Sequence, residues 1–85
     1  MNFFVYMLIS NEISSIKTYV GYTNNLENRL KKHNSNKGAK STKGRKWKII
    51  YKKKFSNKSL AMSFEYKLKN DNKLRNKIKN EYLNA

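Results

Sequence analysis

Three runs of the chain carry the period-two or continuous apolar character of strands, and three carry apolar positions at helical spacing. Phe3 to Ile9 (FFVYMLI) is β-branched and aromatic, ends at Ser10-Asn11, and predicts a buried strand. Lys17 to Thr23 (KTYVGYT) predicts a second strand, with Gly21 marking a place where something approaches the backbone closely. The polar stretch Ser10 to Ile16 between them predicts an antiparallel hairpin. Trp47 to Phe55 (WKIIYKKKF) predicts a third strand.

Helix signals follow the second and third strands. Thr23, Asn24 and Asn25 are candidate N-caps for a helix over Leu26 to Asn34, with Glu27 in the first turn where the helix dipole favours an acid. A step of 100° per residue puts Leu26, Arg29, Leu30 and His33 within one arc of about 100°, so Arg29 and His33 should face the sheet with the leucines. Ser56 or Asn57 should cap a helix running to about Lys69, with Leu60, Ala61, Phe64 and Leu68 as its apolar stripe and Glu65 at its margin. Asn70 to Asn84 carries Leu74, Ile78 and Tyr82 at helical spacing. Asn34 to Lys46 (NSNKGAKSTKGRK) lacks periodicity and predicts a flexible basic loop. The expected class is α+β, a small three-stranded, mainly antiparallel sheet flanked by three helices in the order ββαβαα. The expected organisation is one domain over residues 1–85, with its core over about 3–69 and a C-terminal helix over about 70–84.

Composition narrows the chemistry. Twenty Lys and Arg against five acids give a net charge of +15 on 85 residues, which points to a polyanionic partner. Without cysteine there is no disulfide framework and no Cys-type zinc site, so any metal must be held by oxygen or by the single His. The longest apolar run near the amino end is too short to span a bilayer and follows no basic segment, so a cytoplasmic, nucleoid-associated protein with no membrane partner is expected. Glu65 is the single acid between Glu27 and Asp71, in a stretch dense with Lys.

Val5-Tyr6-Met7, Tyr19-Val20-Gly21, Arg29 ten residues after Tyr19, His33 fourteen after it, and Glu65 on a later helix form an ordered set. In this set the chain resembles the GIY-YIG nuclease superfamily over about residues 3–69, and is similar to the catalytic domain of structure-specific endonucleases. The second triplet with its Arg and His is the specific part; the first triplet is degenerate, with Val5 and Met7 in place of the namesake residues. Tyr22 stands where some relatives carry Lys after the Gly.

The resemblance implies a metal-dependent endonuclease that nicks DNA, of use in DNA repair, with one Mg²⁺ (or Mn²⁺) per active site. It implies that Glu65 binds the ion, Tyr19 helps to activate the attacking water, Arg29 binds the scissile phosphate, and Tyr6 and His33 assist. Plain chemistry agrees with the types: a carboxylate with waters suits a hard cation, and a guanidinium fork matches phosphate oxygens. Lys37, Lys40, Lys43, Arg45 and Lys46 in the basic loop are the expected contacts to the DNA backbone. Target choice would then come from DNA shape or from a protein partner. A second reading is a catalytically inactive basic nucleic-acid-binding module that uses the same loop, with Trp47 or Tyr51 as stacking platforms.

Overall fold

The computed structural model describes residues 2–12 and 15–85. Its elements run β1 (Phe3–Glu12), β2 (Ser15–Thr23), α1 (Leu26–Asn34), a short 3-10 turn (Lys40–Thr42), β3 (Lys48–Phe55), α2 (Lys58–Lys69) and α3 (Asn72–Leu83). The fold is α+β in the expected ββαβαα order. The sheet order is β2-β1-β3 with both pairs antiparallel, so β1 is central. That position explains its continuous apolar run: Val5 to Ser10 are all buried because both faces of the strand are covered.

The hairpin ladder is longer than the apolar pattern suggests. Asn11 pairs with Ile16 and Glu12 with Ser15, because backbone pairing continues where side chains no longer bury. The tip of the predicted connection, residues 13–14, lies outside the described residues.

Alternation assigns each face of the sheet its own helices. Val5, Met7, Val20 and Tyr22 point to one side and pack with Ala61, Phe64 and Leu68 of α2 and Leu74 and Ile78 of α3. Tyr6, Leu8 and Tyr19 point to the other, against Leu26 and Leu30 of α1 and against Trp47. The β1–β3 register slips between Met7, opposite Tyr51, and Leu8, opposite Ile49. This bulge at Ile50 lets Ile50 and Tyr51 both join the α2 side while Ile49 packs on the α1 side.

Asn25 caps α1 by accepting from Asn28 N at 3.0 Å, Asn57 caps α2 by accepting from Ser59 N at 2.7 Å, and Asp71 caps α3 by accepting from Leu74 N at 3.0 Å. These caps set where each helix begins and therefore which side chains turn inward.

Two expectations are corrected. Leu60 is 58% exposed and is not part of the α2 stripe, which consists of Ala61, Phe64 and Leu68. Leu60 and Glu65 flank that stripe on opposite margins, and the Leu60 margin is the one that faces solvent. Trp47 precedes β3 and is 4% exposed, with its indole N–H donating to Thr42 O at 2.9 Å. A ring buried in this way cannot stack on bases.

The basic loop is held at several points. Trp47 N donates to Asn34 Oδ1 at 2.6 Å, Gly44 N donates to Asn36 Oδ1 at 2.7 Å, and Thr42 is fully buried. Gly44 at φ +81° and Asn36 at φ +64° take the left-handed turns that the path requires.

Candidate active site

The α1 face of the sheet brings four of the five candidate catalytic residues together. Tyr6 and Tyr19 share that face because Tyr6 lies opposite Gly21, two residues along β2 from Tyr19. Their ring centroids are 6.3 Å apart. Arg29 and His33, one turn apart on α1, come down onto this pair. The His33 ring centroid lies 4.9 Å from that of Tyr19 and 5.9 Å from that of Tyr6.

The Tyr6 hydroxyl is the hub. Its oxygen is 2.9 Å from His33 Nε2 and accepts from Arg29 Nε at 3.4 Å. On its far side the imidazole Nδ1 lies 2.9 Å from Thr42 Oγ1. His33 and Thr42 are both wholly buried, so this chain of polar atoms runs through the interior. Inside a protein such a chain is stable only when every member is paired, and here each is.

Burial sets the protonation states. Burial lifts the Tyr6 pKa above its usual 10.0; the Arg29 hydrogen bond opposes this, and the nearby phenol of Tyr19 and carboxylate of Glu65 add smaller upward pushes. Burial, followed by the positive charge of Arg29, lowers the His33 pKa below 6.5 and keeps the imidazole neutral near pH 7. The hydrogen bond to Tyr6 raises the Arg29 pKa, so this side chain stays a cation. The site thus holds a fixed positive charge, a neutral base and a protonated phenol side by side.

Gly21 shows what the close approach was for. A Cβ built there would sit 2.6 Å from Tyr6 Oη, 2.8 Å from Tyr6 Cζ and 3.0 Å from Tyr19 Cε2. The hydroxyl end of the Tyr6 phenol occupies the space a side chain at position 21 would take. Gly21→Ala is therefore expected to force Tyr6 out of its pairing with Arg29 and His33. Overpacking of this kind costs about 1–3 kcal/mol, a fall in Tm on the order of 10 °C for so small a chain. A thermal melt of the variant measures it; an unchanged midpoint would show that Tyr6 has room to move.

Glu65, the fifth candidate, projects from α2, whose stripe packs on the opposite face of the sheet, and it makes no hydrogen bond or ion pair with the other four among the described residues. Its side chain is 18% exposed and pairs with Lys69 at 3.6 Å, and its charge is felt at Tyr6. Among the described residues no group of three or more His, Cys, Asp or Glu side chains converges. One half-buried carboxylate fits a hard divalent ion that keeps most of its waters, and does not fit a zinc site.

The five loop cations separate. Lys37, Lys40, Lys43 and Lys46 are exposed. Lys46 Nζ donates to Asn34 O at 3.3 Å, at the C-terminal end of α1. Arg45 is a structural clamp: its guanidinium donates to Ser10 Oγ, Ser10 O, Ser15 Oγ and Ser15 O at 2.8–3.2 Å, tying the loop to the hairpin. Sequence reasoning did not separate Arg45 from its lysine neighbours, because serine partners carry no charge to signal the pairing.

Other placements were not read from the sequence. An open pocket of about 330 Å³ beside Arg29 is lined by Phe3, Tyr22, Asn25, Lys32 and Lys58. Lys52 and Lys54 lie opposite Tyr6 and Phe4 on β3 and so share the face of the tyrosines. Thr42 and Gly38, against His33, carried no signal in the sequence.

Comparison with known proteins bears on the family. Residues 2–79 match the family described as the GIY-YIG catalytic domain. A UPF0213 protein of Oceanobacillus iheyensis is 51% identical over 67 residues, covering 78% of this chain and 74% of that protein. A protein of Acanthamoeba polyphaga mimivirus is 44% identical over 80 residues, covering 88% of this chain but 47% of its own length. The solution NMR structure of a UPF0213 protein from Bacillus halodurans is 36% identical, with a TM-score of 0.49 over 91% of this chain and 80% of that one. With the match running nearly from end to end, this chain belongs to the GIY-YIG family, a family of nucleases.

Proposed function

We propose that the protein is a metal-dependent endonuclease that hydrolyses DNA phosphodiester bonds and makes a single-strand nick at each encounter. The observation that carries this reading is the junction of part-buried Arg29 with buried Tyr6 and His33, flanked by Tyr19. A purely structural core has little use for a charged guanidinium aimed at a phenol that is itself bonded to a neutral imidazole.

Hydrolysis breaks a P–O bond, takes a proton from the attacking water and places one on the leaving oxygen. Arg29, on the wall of the open pocket, is the group that holds the scissile phosphate and offsets its growing charge. Tyr19, half-buried beside the His33 ring, is the phenol that meets the attacking water. Tyr6 and His33 form the acceptor behind it: neutral His33, paired with the Tyr6 hydroxyl, can take up a proton passed through that hydroxyl, and Arg29 stabilises charge on the Tyr6 oxygen. Nucleases of this family generally use divalent ions, and Glu65 is the residue that would hold one Mg²⁺ or Mn²⁺. The ion supplies neutralisation of charge on the phosphate and leaving oxygens.

Lys32 and Lys58 beside Arg29, with Lys37, Lys40, Lys43 and Lys46 of the loop, are the proposed contacts to the DNA backbone. Arg45 leaves that set because its donors are engaged. No helix among the described residues is long and apolar enough to cross a membrane, and we place the protein with nucleic acid in the cell interior.

The test is conversion of supercoiled plasmid to the nicked circle with Mg²⁺, with Mn²⁺ and with chelator. Nicking that needs the ion supports the enzyme. An inert protein that binds DNA with a steep salt dependence and no need for metal would establish the binding module instead.

A further inference from the structure

We propose that Thr42, with room made by Gly38, is a positioning residue that fixes the tautomer of His33, so that the imidazole presents its bare Nε2 to Tyr6. The inference rests on the reading of this cluster as the catalytic centre and names two residues that reading does not require.

The argument is a count of protons. A threonine hydroxyl has one hydrogen to donate. Thr42 Oγ1 donates it to Ala39 O at 2.8 Å, a carbonyl that can only accept. The same oxygen lies 2.9 Å from His33 Nδ1, so in that contact it must accept, and Nδ1 must carry a hydrogen. A neutral imidazole has one N–H, which leaves Nε2 as a lone pair. Nε2 is 2.9 Å from Tyr6 Oη, so Tyr6 donates to it. Arg29 Nε donates to the same oxygen, which places both partners of Tyr6 in compatible roles. The direction of the whole relay, Arg29 to Tyr6 to His33 to Thr42 to Ala39, follows from the single hydroxyl hydrogen at its end.

Thr42 is held for this task. Its backbone N donates to Ala39 O at 3.0 Å and its carbonyl accepts from the Trp47 indole. The loop must also lie directly on the imidazole. A Cβ on Gly38 would be 2.5 Å from His33 Nδ1 and 3.0 Å from both His33 Cα and Cε1, so a side chain there would push the loop off the ring. The opposite tautomer, with the hydrogen on Nε2, would set two N–H donors at Tyr6 Oη and leave Nδ1 facing an oxygen with no hydrogen to offer. It would also leave His33 without a lone pair toward Tyr6.

The chain has one histidine, so the imidazole nitrogens of a ¹⁵N-labelled sample are assigned without ambiguity. At pH above 7, His33 is expected to show protonated Nδ1 and bare Nε2 in the wild type and in Thr42→Ser, which keeps the hydroxyl. Thr42→Val keeps the shape and removes the acceptor, and is expected to populate the Nε2–H form. Loss of a partner that orients a functional imidazole typically lowers activity about 10–100-fold, so Thr42→Val should nick slowly while Thr42→Ser recovers most of the rate.

A wild type with hydrogen on Nε2 would overturn the proposal without any variant, and so would a Thr42→Val protein that keeps the Nδ1–H form. An inactive wild type whose tautomer nevertheless follows residue 42 upholds the positioning role and overturns the nuclease reading. Active wild type with a tautomer indifferent to residue 42 does the reverse.

Discussion

Glu65→Gln is expected to abolish ion-supported nicking while leaving the fold in place. The substitution keeps the size and hydrogen-bonding reach of the side chain and removes its charge, so it acts on the proposed ion seat. Charge neutralisation by one divalent ion supplies several kcal/mol to the transition state, and losing it corresponds to a rate on the order of 10³-fold lower. Against this, the structural loss is small. The partner Lys69 is half exposed, and an ion pair of that kind within one helix contributes well under about 1 kcal/mol. A melt of Glu65→Gln should therefore overlay that of the wild type while plasmid nicking disappears. Equal nicking by the two proteins at saturating Mg²⁺ would mean that the ion, if used, sits elsewhere.

Arg29 supports the second large effect, and here the choice of replacement separates binding from turnover. Arg29→Lys keeps a positive charge near the phosphate but loses the planar fork and the Nε that donates to Tyr6. Positioned guanidinium groups in phosphoryl chemistry are worth about 10³–10⁵ in rate, and the lysine variant should lose most of that. Its DNA affinity and the salt dependence of that affinity should stay close to wild type, because the charge count is unchanged. Arg29→Ala should lose turnover and also flatten the slope of log affinity against log salt by about one unit. Both are read by a nicking time course beside a salt titration of DNA binding. A lysine variant with the wild-type rate would assign Arg29 to attraction of DNA alone.

These predictions exploit an arrangement that was partly legible beforehand. The apolar runs predicted all three strands and all three helices because burial imposes a period on a sequence, and the caps Asn25 and Asn57 were among the candidates named from residue type. The inward turn of Arg29 and His33 followed from helical spacing alone, and His33 is indeed wholly buried. Strand ends were less legible, since Glu12 and Ser15 pair through backbone atoms common to every residue. Leu60 misled for a related reason: hydrophobicity marks a residue that can be buried, and only the neighbouring elements decide whether one is.

The basic loop illustrates the sharper limit. Five cations in thirteen residues read as one interchangeable set, yet Arg45 ties the loop to the hairpin, Lys46 sits on the end of α1, and Lys37, Lys40 and Lys43 are exposed. Trp47 looked like a stacking platform and is instead the buried peg that holds Thr42 in place. Charge and aromaticity are properties of a residue type; partners are properties of a place.

By itself the sequence determined the periodicities, and with them the α+β class, the element order and the side of α1 that turns inward, because these depend on local geometry repeated every two or 3.6 residues. It also carried the ordered Tyr, Arg, His and Glu on which the family resemblance rests. Tertiary structure alone decided that Tyr6, and not only Tyr19, is the junction of the site, that Gly21 and Gly38 are spaces filled by other residues' rings, and that Thr42 holds His33. The physical reason is range. A hydrogen bond between residues 27 positions apart, or a ring lying over a glycine on the next strand, leaves no local pattern in either segment until the sheet and helix have brought the two together.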